Sequence, residues 1–344
     1  MVTGLGFVYT LYSVAYTVLF LRKLDGKIAP PAPPAPPAKN KKNAAPVAAT
    51  GPPAKPFSAE AMSFLLKTSI VTGIGSLLTN KYAADAVWGT PLETAFFFAA
   101  TFAAYVGCAR LPAAITKAIH PLLTSTGVVW GLLYAYGAAT GSASFVDSVK
   151  TYKKSSLAWH SAGAGDLLLF CLGPSVVSFA VSMYSRKTIM LQNFKIVVAA
   201  ILVSSLGTIF GTAAFTNLIR LGGASGNALM IRLSMLARNI TTALAIPVTQ
   251  MLGGDISIAV VVVVLTGIIG AQYGRKLLDL VNIQDPITRG LAVGSAAQGL
   301  GVSSMVSEVD AFPFAAMAMA LTAVAGTIFV SVPEIKNAVI GICS

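Results

Sequence analysis

Long apolar runs separated by short polar breaks dominate this chain. After residue 57 they recur at roughly 61–79, 91–109, 113–139, 163–185, 194–218, 227–250, 255–279, 286–305 and 312–332. An earlier run, Gly4 to Leu21, ends in Arg22-Lys23. About 20 apolar residues cross the hydrocarbon core as a helix. The windows Ile196–Phe215, Ile256–Gln272 and Phe314–Val332 carry no charge, and Pro121–Val146 is longer still. A transmembrane barrel would show alternating segments of about ten residues instead. The pattern predicts an all-α, polytopic membrane protein of about 9–10 spans.

Three of these runs contain a polar or helix-breaking cluster: Gly173-Pro174-Ser175, Arg238-Asn239-Ile240-Thr241-Thr242 and Gly294-Ser295-Ala296-Ala297-Gln298-Gly299. Lipid offers no hydrogen bonds, so a broken helix survives only against protein or a water-filled cavity. Interrupted helices at mid-bilayer depth are also how secondary carriers hold small solutes. The stretches 173–182 and 238–247 share a polar break followed by a small, apolar half-helix, which points to an internal repeat. Glycines four apart (Gly207 and Gly211, Gly270 and Gly274, Gly290 and Gly294) are expected to let helices approach closely.

Composition agrees. Of 344 residues, 55% are hydrophobic and 10% charged, and the mean hydropathy is +0.76. Soluble domains carry about 25% charged residues. Net charge is +12, and seven Lys and Arg against Asp25 alone fall between Arg22 and Phe57. Such a segment beside a span marks the cytoplasm-like side and can touch anionic lipid. With no soluble domain beside it, no nucleic-acid partner is expected. Residues 25–57 also hold ten of the eighteen prolines, including an unbroken Pro/Ala run at 30–37. They read as a polyproline-type linker. The division is therefore an N-terminal membrane helix at 1–24, the linker at 25–57 and a membrane domain at 58–344. No basic stretch precedes the first apolar run, which favours a retained helix over a signal peptide. Without a transit-peptide-like leader, the chain is expected to begin partway through a longer protein.

Cys108, Cys171 and Cys343 are far apart and lack ligand spacing, so neither a metal site nor a disulfide framework is expected, and the thiols read as inert and buried. No cofactor is expected. The carboxylates fall at span ends or in loops, with Asp166, Asp255, Asp285 and Glu308 the closest to mid-span. A sodium site or proton relay built on buried carboxylates is therefore not indicated. His120 and His160 lie on loops with no nucleophile to pair, so the chain does not read as an enzyme.

The chemistry rests on the breaks. An arginine at mid-bilayer costs about 2.5–3.5 kcal/mol on insertion scales, so Arg238 must face a cavity or a partner. Its fork suits a carboxylate, and Asn239, Thr241 and Thr242 add neutral groups able to hold a neighbouring hydroxyl. The alternative is snorkelling, which is also the expectation for Arg232. Asn239 or Thr241 could equally cap a half-helix. Pro174, flanked by Gly173 and Ser175, either starts a half-helix whose N–H groups receive an anion or makes a plain kink. In the third cluster, Ser295, Gln298 and Gly299 offer polar groups, and Gln298 is the residue without a packing reason.

Gly163-Ala164-Gly165-Asp166 through Gly173-Pro174-Ser175-Val176-Val177-Ser178-Phe179-Ala180, Arg238 to Ala245, Thr266 to Ala271, and Asp285 to Ala292 together resemble the LrgB/CidB membrane family. Within it, the likeness is to the carboxyl-terminal half of plastid carriers. The resemblance implies a chloroplast inner-envelope antiporter that exchanges glycolate for glycerate in photorespiration. Its partners would be small 2-hydroxy carboxylate anions, the lipid bilayer and an LrgA-like half or subunit. Bacterial members imply the alternative, a holin-like protein acting on murein hydrolase export or cell lysis. The family's Ser-His-Gly element is replaced here by Ala297-Gln298-Gly299, and an amide cannot titrate.

Overall fold

The computed structural model describes residues 1–26, 58–83, 87–112, 115–116, 119–142, 144–171, 173–174, 177, 184, 187–223 and 225–344. Nearly all of the proline-rich linker lies outside them. In chain order the helices are α1 (Val2–Leu24), α2 (Ala59–Tyr82), α3 (Gly89–Ala109), α4 (Pro121–Thr140), α5 (Phe145–Tyr152), α6 (Ala164–Phe170) and α7 (Lys187–Gln192). They continue as α8 (Phe194–Leu218), α9 (Ala228–Ser234), α10 (Thr242–Leu252), α11 (Ile256–Leu280), α12 (Pro286–Ser304), α13 (Phe312–Ser331) and α14 (Pro333–Cys343). Among the described residues, α1, α2, α3, α4, α8, α11 and α13 are long and apolar enough to cross a membrane.

The all-α architecture stands, and local details differ from the expectations or extend them. The run 227–250 is two helices, α9 and α10, with residues 235–241 between them. The run 163–185 begins with the short α6, and most of its remainder lies outside the described residues. The loop at 140–162 contains α5, started by Ser144, whose hydroxyl accepts from Asp147 N–H. Beyond the last expected span, Pro333 opens α14, where proline at the first helical position costs no hydrogen bond.

The chain divides into two compact units, one of Met1–Lys42 with Ser178–Ser344 and one of Asn43–Val177. In the first, α1 is a core element: Phe7, Leu11, Val14, Ala15 and Val18 are fully buried, and α1 lies against α8, α11 and α12. The glycine pairs explain how the helices come so close. Gly290 and Gly294 of α12 lie against the backbone at Ala311, the N-cap of α13, and at Ala315 within it, where any Cβ would collide. Gly270 of α11 meets Ala297 in the same way, and Gly207 and Gly211 of α8 face Tyr9. Asp255 and Asp285 start α11 and α12 by accepting from Ile258 N–H at 2.8 Å and Thr288 N–H at 2.9 Å. At the start of α12, buried Arg289 binds both oxygens of Glu308 at 2.7 Å and Asp279 at 2.6 Å.

Arg232 does not snorkel. It is buried, and its guanidinium donates to the Leu221 carbonyl at 3.0 Å, to Asn217 Oδ1 at 2.8 Å and to the Cys343 carbonyl at 2.7 Å. Carbonyls at the end of α14 take the place of water. Of the three cysteines, Cys108 and Cys343 are buried, but Cys171 is exposed, contrary to expectation, because it ends the short α6.

In the second unit, α3 packs against α2 and α4. Tyr136 stacks among Phe96 and Phe97, and its hydroxyl meets Ser76 and, at 3.2 Å, Asn80 Nδ2. Asp166 holds the loop before α6, accepting backbone N–H groups of Lys154 at 2.8 Å, Ser155 at 3.0 Å and Gly163 at 3.0 Å. The outward face of α2 carries Phe64, Ile70, Val71 and Ile74, all exposed. Each such side chain would gain about 1.5–3 kcal/mol on leaving water, so this face suits lipid.

Candidate functional site: two linked helix breaks and a buried arginine

The first break, between α9 and α10, places Arg238 wholly inside the Met1–Lys42 and Ser178–Ser344 unit, with 0% exposure. Its Nε donates to Thr212 Oγ1 of α8 at 3.0 Å, and its Nη2 donates to Thr10 Oγ1 of α1 at 2.8 Å. Thr10 in turn hydrogen-bonds the Thr208 hydroxyl at 3.0 Å. Among the described residues no carboxylate lies within salt-bridge distance of Arg238, and its Nη1 has no hydrogen-bond partner. A hydrogen bond to a charged group contributes about 1.5–3 kcal/mol, so the two threonines offset part of the burial cost and leave one donor unmet.

Beside the guanidinium lies a cavity of about 360 Å³. Val2, Leu5, Gly6 and Tyr9 of α1 form one wall. Gly211, Thr212 and Phe215 of α8 form another, and among the described residues Arg238 is the only charged one lining it.

The second break is at Gln298 within α12, where φ is 47° and ψ is −149°. This conformation strongly favours glycine. In an unbroken helix the Gly299 N–H would donate to the Ser295 carbonyl four residues earlier. Here it donates to Gln298 Oε1 at 3.1 Å, and the Ser295 carbonyl accepts Asn239 Nδ2 at 3.0 Å. Gln298 Nε2 donates to the Val263 carbonyl of α11 at 3.0 Å. Gly267 makes room for it, since a Cβ there would lie 2.5 Å from that nitrogen. A side chain of the first break therefore satisfies the second, and Gln298 has the structural reason that its sequence position did not disclose.

The structure brings Arg238, Asn239, Ser295 and Gln298 into one region of this unit. Asn239 and Gln298 serve the opened backbone, whereas the buried Ser295 hydroxyl has no partner among the described residues. Thr241 occupies the N-cap of α10 without a side-chain cap bond, and Thr242 follows it, half-buried; Gly299 is the donor already described. Gly173 and Pro174 belong to the Asn43–Val177 unit, where both are helical and exposed; Ser175 lies outside the described residues. His120 accepts the Leu122 N–H at 3.2 Å as the N-cap of α4, a structural duty. Sequence reasoning missed Thr10 and Thr212. Both are ordinary small polar residues in apolar helices, and nothing local distinguishes them from Thr17 or Thr327, which bond only their own helix.

A family model described as the LrgB-like family matches residues 101–334. The chain is 30% identical over 278 residues to the plastidal glycolate/glycerate translocator 1, chloroplastic, of Arabidopsis thaliana, covering 79% of this chain and 51% of that protein. It thus spans about half the length of that relative. No solved structure matches it.

Proposed function

Because this chain belongs to the LrgB-like family of multi-pass membrane proteins, we propose that it is a secondary carrier of small organic anions. The substrates are 2-hydroxy monocarboxylates of the glycolate and glycerate class, exchanged across the chloroplast inner envelope. The matched relative's printed name supports that substrate class. The observation that carries the reading is Arg238, fully buried, unmatched by any carboxylate among the described residues, and with Nη1 unbonded. A buried guanidinium without a counter-ion is the state expected of a site that receives its anion from outside.

In this mechanism one carboxylate oxygen accepts from Nη1 while Thr10 and Thr212 fix the other edge of the fork. Among the described residues the cavity lining supplies no second cation, so a dicarboxylate would bury an unpaired charge and is disfavoured. The Ser295 hydroxyl, with Thr241 and Thr242, remains available to the 2-hydroxyl. Asn239 and Gln298 keep the two breaks intact while helix groups move to alternate access. An LrgA-like half or subunit completes the full-length carrier.

Equilibrium binding of labelled glycolate to the purified chain, with counterflow in liposomes, tests this. Glycolate should bind, succinate should compete poorly, and Arg238→Ala should abolish binding while the protein stays folded. Undiminished binding by that variant removes the arginine from the mechanism. A holin-like pore, the other activity expected of LrgB/CidB relatives, would show neither stabilisation by glycolate nor dependence on Arg238.

A further inference from the structure

Resting on the carrier reading, we propose that the N-terminal helix α1 is a working part of the anion site: Gly6 and Thr10 are positioning residues that set the Arg238 fork. α1 lies before the family-matched region, which begins at residue 101. Yet it is the element that touches the guanidinium most intimately. A Cβ at Gly6 would stand 2.6 Å from Arg238 Nε and 2.7 Å from Cζ, so the planar fork lies flat on bare backbone. One turn along, Thr10 accepts from Nη2 at 2.8 Å. The threonine hydroxyl is itself held, by the Gly6 carbonyl at 3.1 Å or by Thr208 at 3.0 Å. Residues four apart on a helix stack on one face; here that face offers first a gap and then an acceptor.

The consequence is directional. With Nε and Nη2 engaged, the unbonded Nη1 is the donor left for a ligand. Leu5 and Tyr9 of the same helix line the cavity together with Arg238. Removing the Thr10 acceptor or adding a methyl at Gly6 would swing the fork, because the atoms a Cβ would strike are the far end of a flexible side chain rather than backbone.

The test is glycolate affinity of the full chain and of Gly6→Ala, Thr10→Val, Thr10→Ser and Arg238→Ala, each with its melting temperature. Gly6→Ala and Thr10→Val should weaken binding at least about tenfold, the equivalent of roughly one lost charged hydrogen bond. Thr10→Ser keeps the acceptor and should bind and melt like the parent, whereas Thr10→Val should also melt lower, since it gives up a charged hydrogen bond in a buried place. If Gly6→Ala and Thr10→Val bind normally while Arg238→Ala does not, the role of α1 is refuted and the carrier reading stands. A Thr10→Ser protein as weak as Thr10→Val also refutes it, since the hydroxyl is then not what matters. If the parent binds no glycolate, or Arg238→Ala binds it unchanged, the carrier reading itself fails and takes this inference with it.

Discussion

The side-chain amide of Asn239 donates to the Ser295 carbonyl at 3.0 Å, tying the break between α9 and α10 to the break in α12. A main-chain oxygen opened by one interruption is closed by a side chain from the other. In hydrocarbon there is no water to do this.

Asn239→Ala should therefore destabilise the chain by about 1–3 kcal/mol, the cost of leaving a buried acceptor unmet. Thermal unfolding in detergent measures it. Asn239→Asp should be worse, because a carboxylate there cannot donate. Equal stability of Asn239→Asp and the parent would show that the Ser295 carbonyl is satisfied elsewhere.

Gln298 combines a disfavoured backbone conformation with two useful hydrogen bonds. Gln298→Ala keeps the strain and loses both bonds. Gln298→Gly loses the bonds but relieves strain worth about 1–3 kcal/mol. The glycine variant should thus melt higher than the alanine variant. The reverse order would mean that α12 is not broken at this position.

Arg289 is nearly enclosed and grips Glu308 with two nitrogens while its third reaches Asp279. Its carboxylate partners are partly exposed and can hydrate once unpaired, so Arg289→Ala should lower the melting temperature by the loss of charged hydrogen bonds, about 1.5–3 kcal/mol. Arg289→Lys should recover little, since a point charge cannot reproduce a planar fork. Full recovery by lysine would show that charge alone holds α12 to the loop carrying Glu308.

Much of the scaffold could be read from residue order. The run 194–218 coincides with α8, and 255–279 and 312–332 fall within a residue of α11 and α13. Apolar length is a local property, and lipid enforces it span by span. The breaks at Arg238 and near Gln298 were visible too, because polar and helix-breaking residues have no cheap place inside such a run. What could not be read was their company. Arg232 and Arg238 look alike in sequence, six positions apart, yet one anchors the end of α14 and the other stands beside a cavity.

Residue order by itself settled that the chain is helical, membrane-spanning and interrupted at defined points, since hydrocarbon penalises each unpaired polar group wherever it occurs. Only the folded arrangement decided what answers those interruptions. Thr10 and Arg238 are 228 positions apart and meet because helices with glycine faces can lie close enough for side chains to cross between them. Hydrogen bonds of about 3 Å depend on that packing, which no local run of residues encodes.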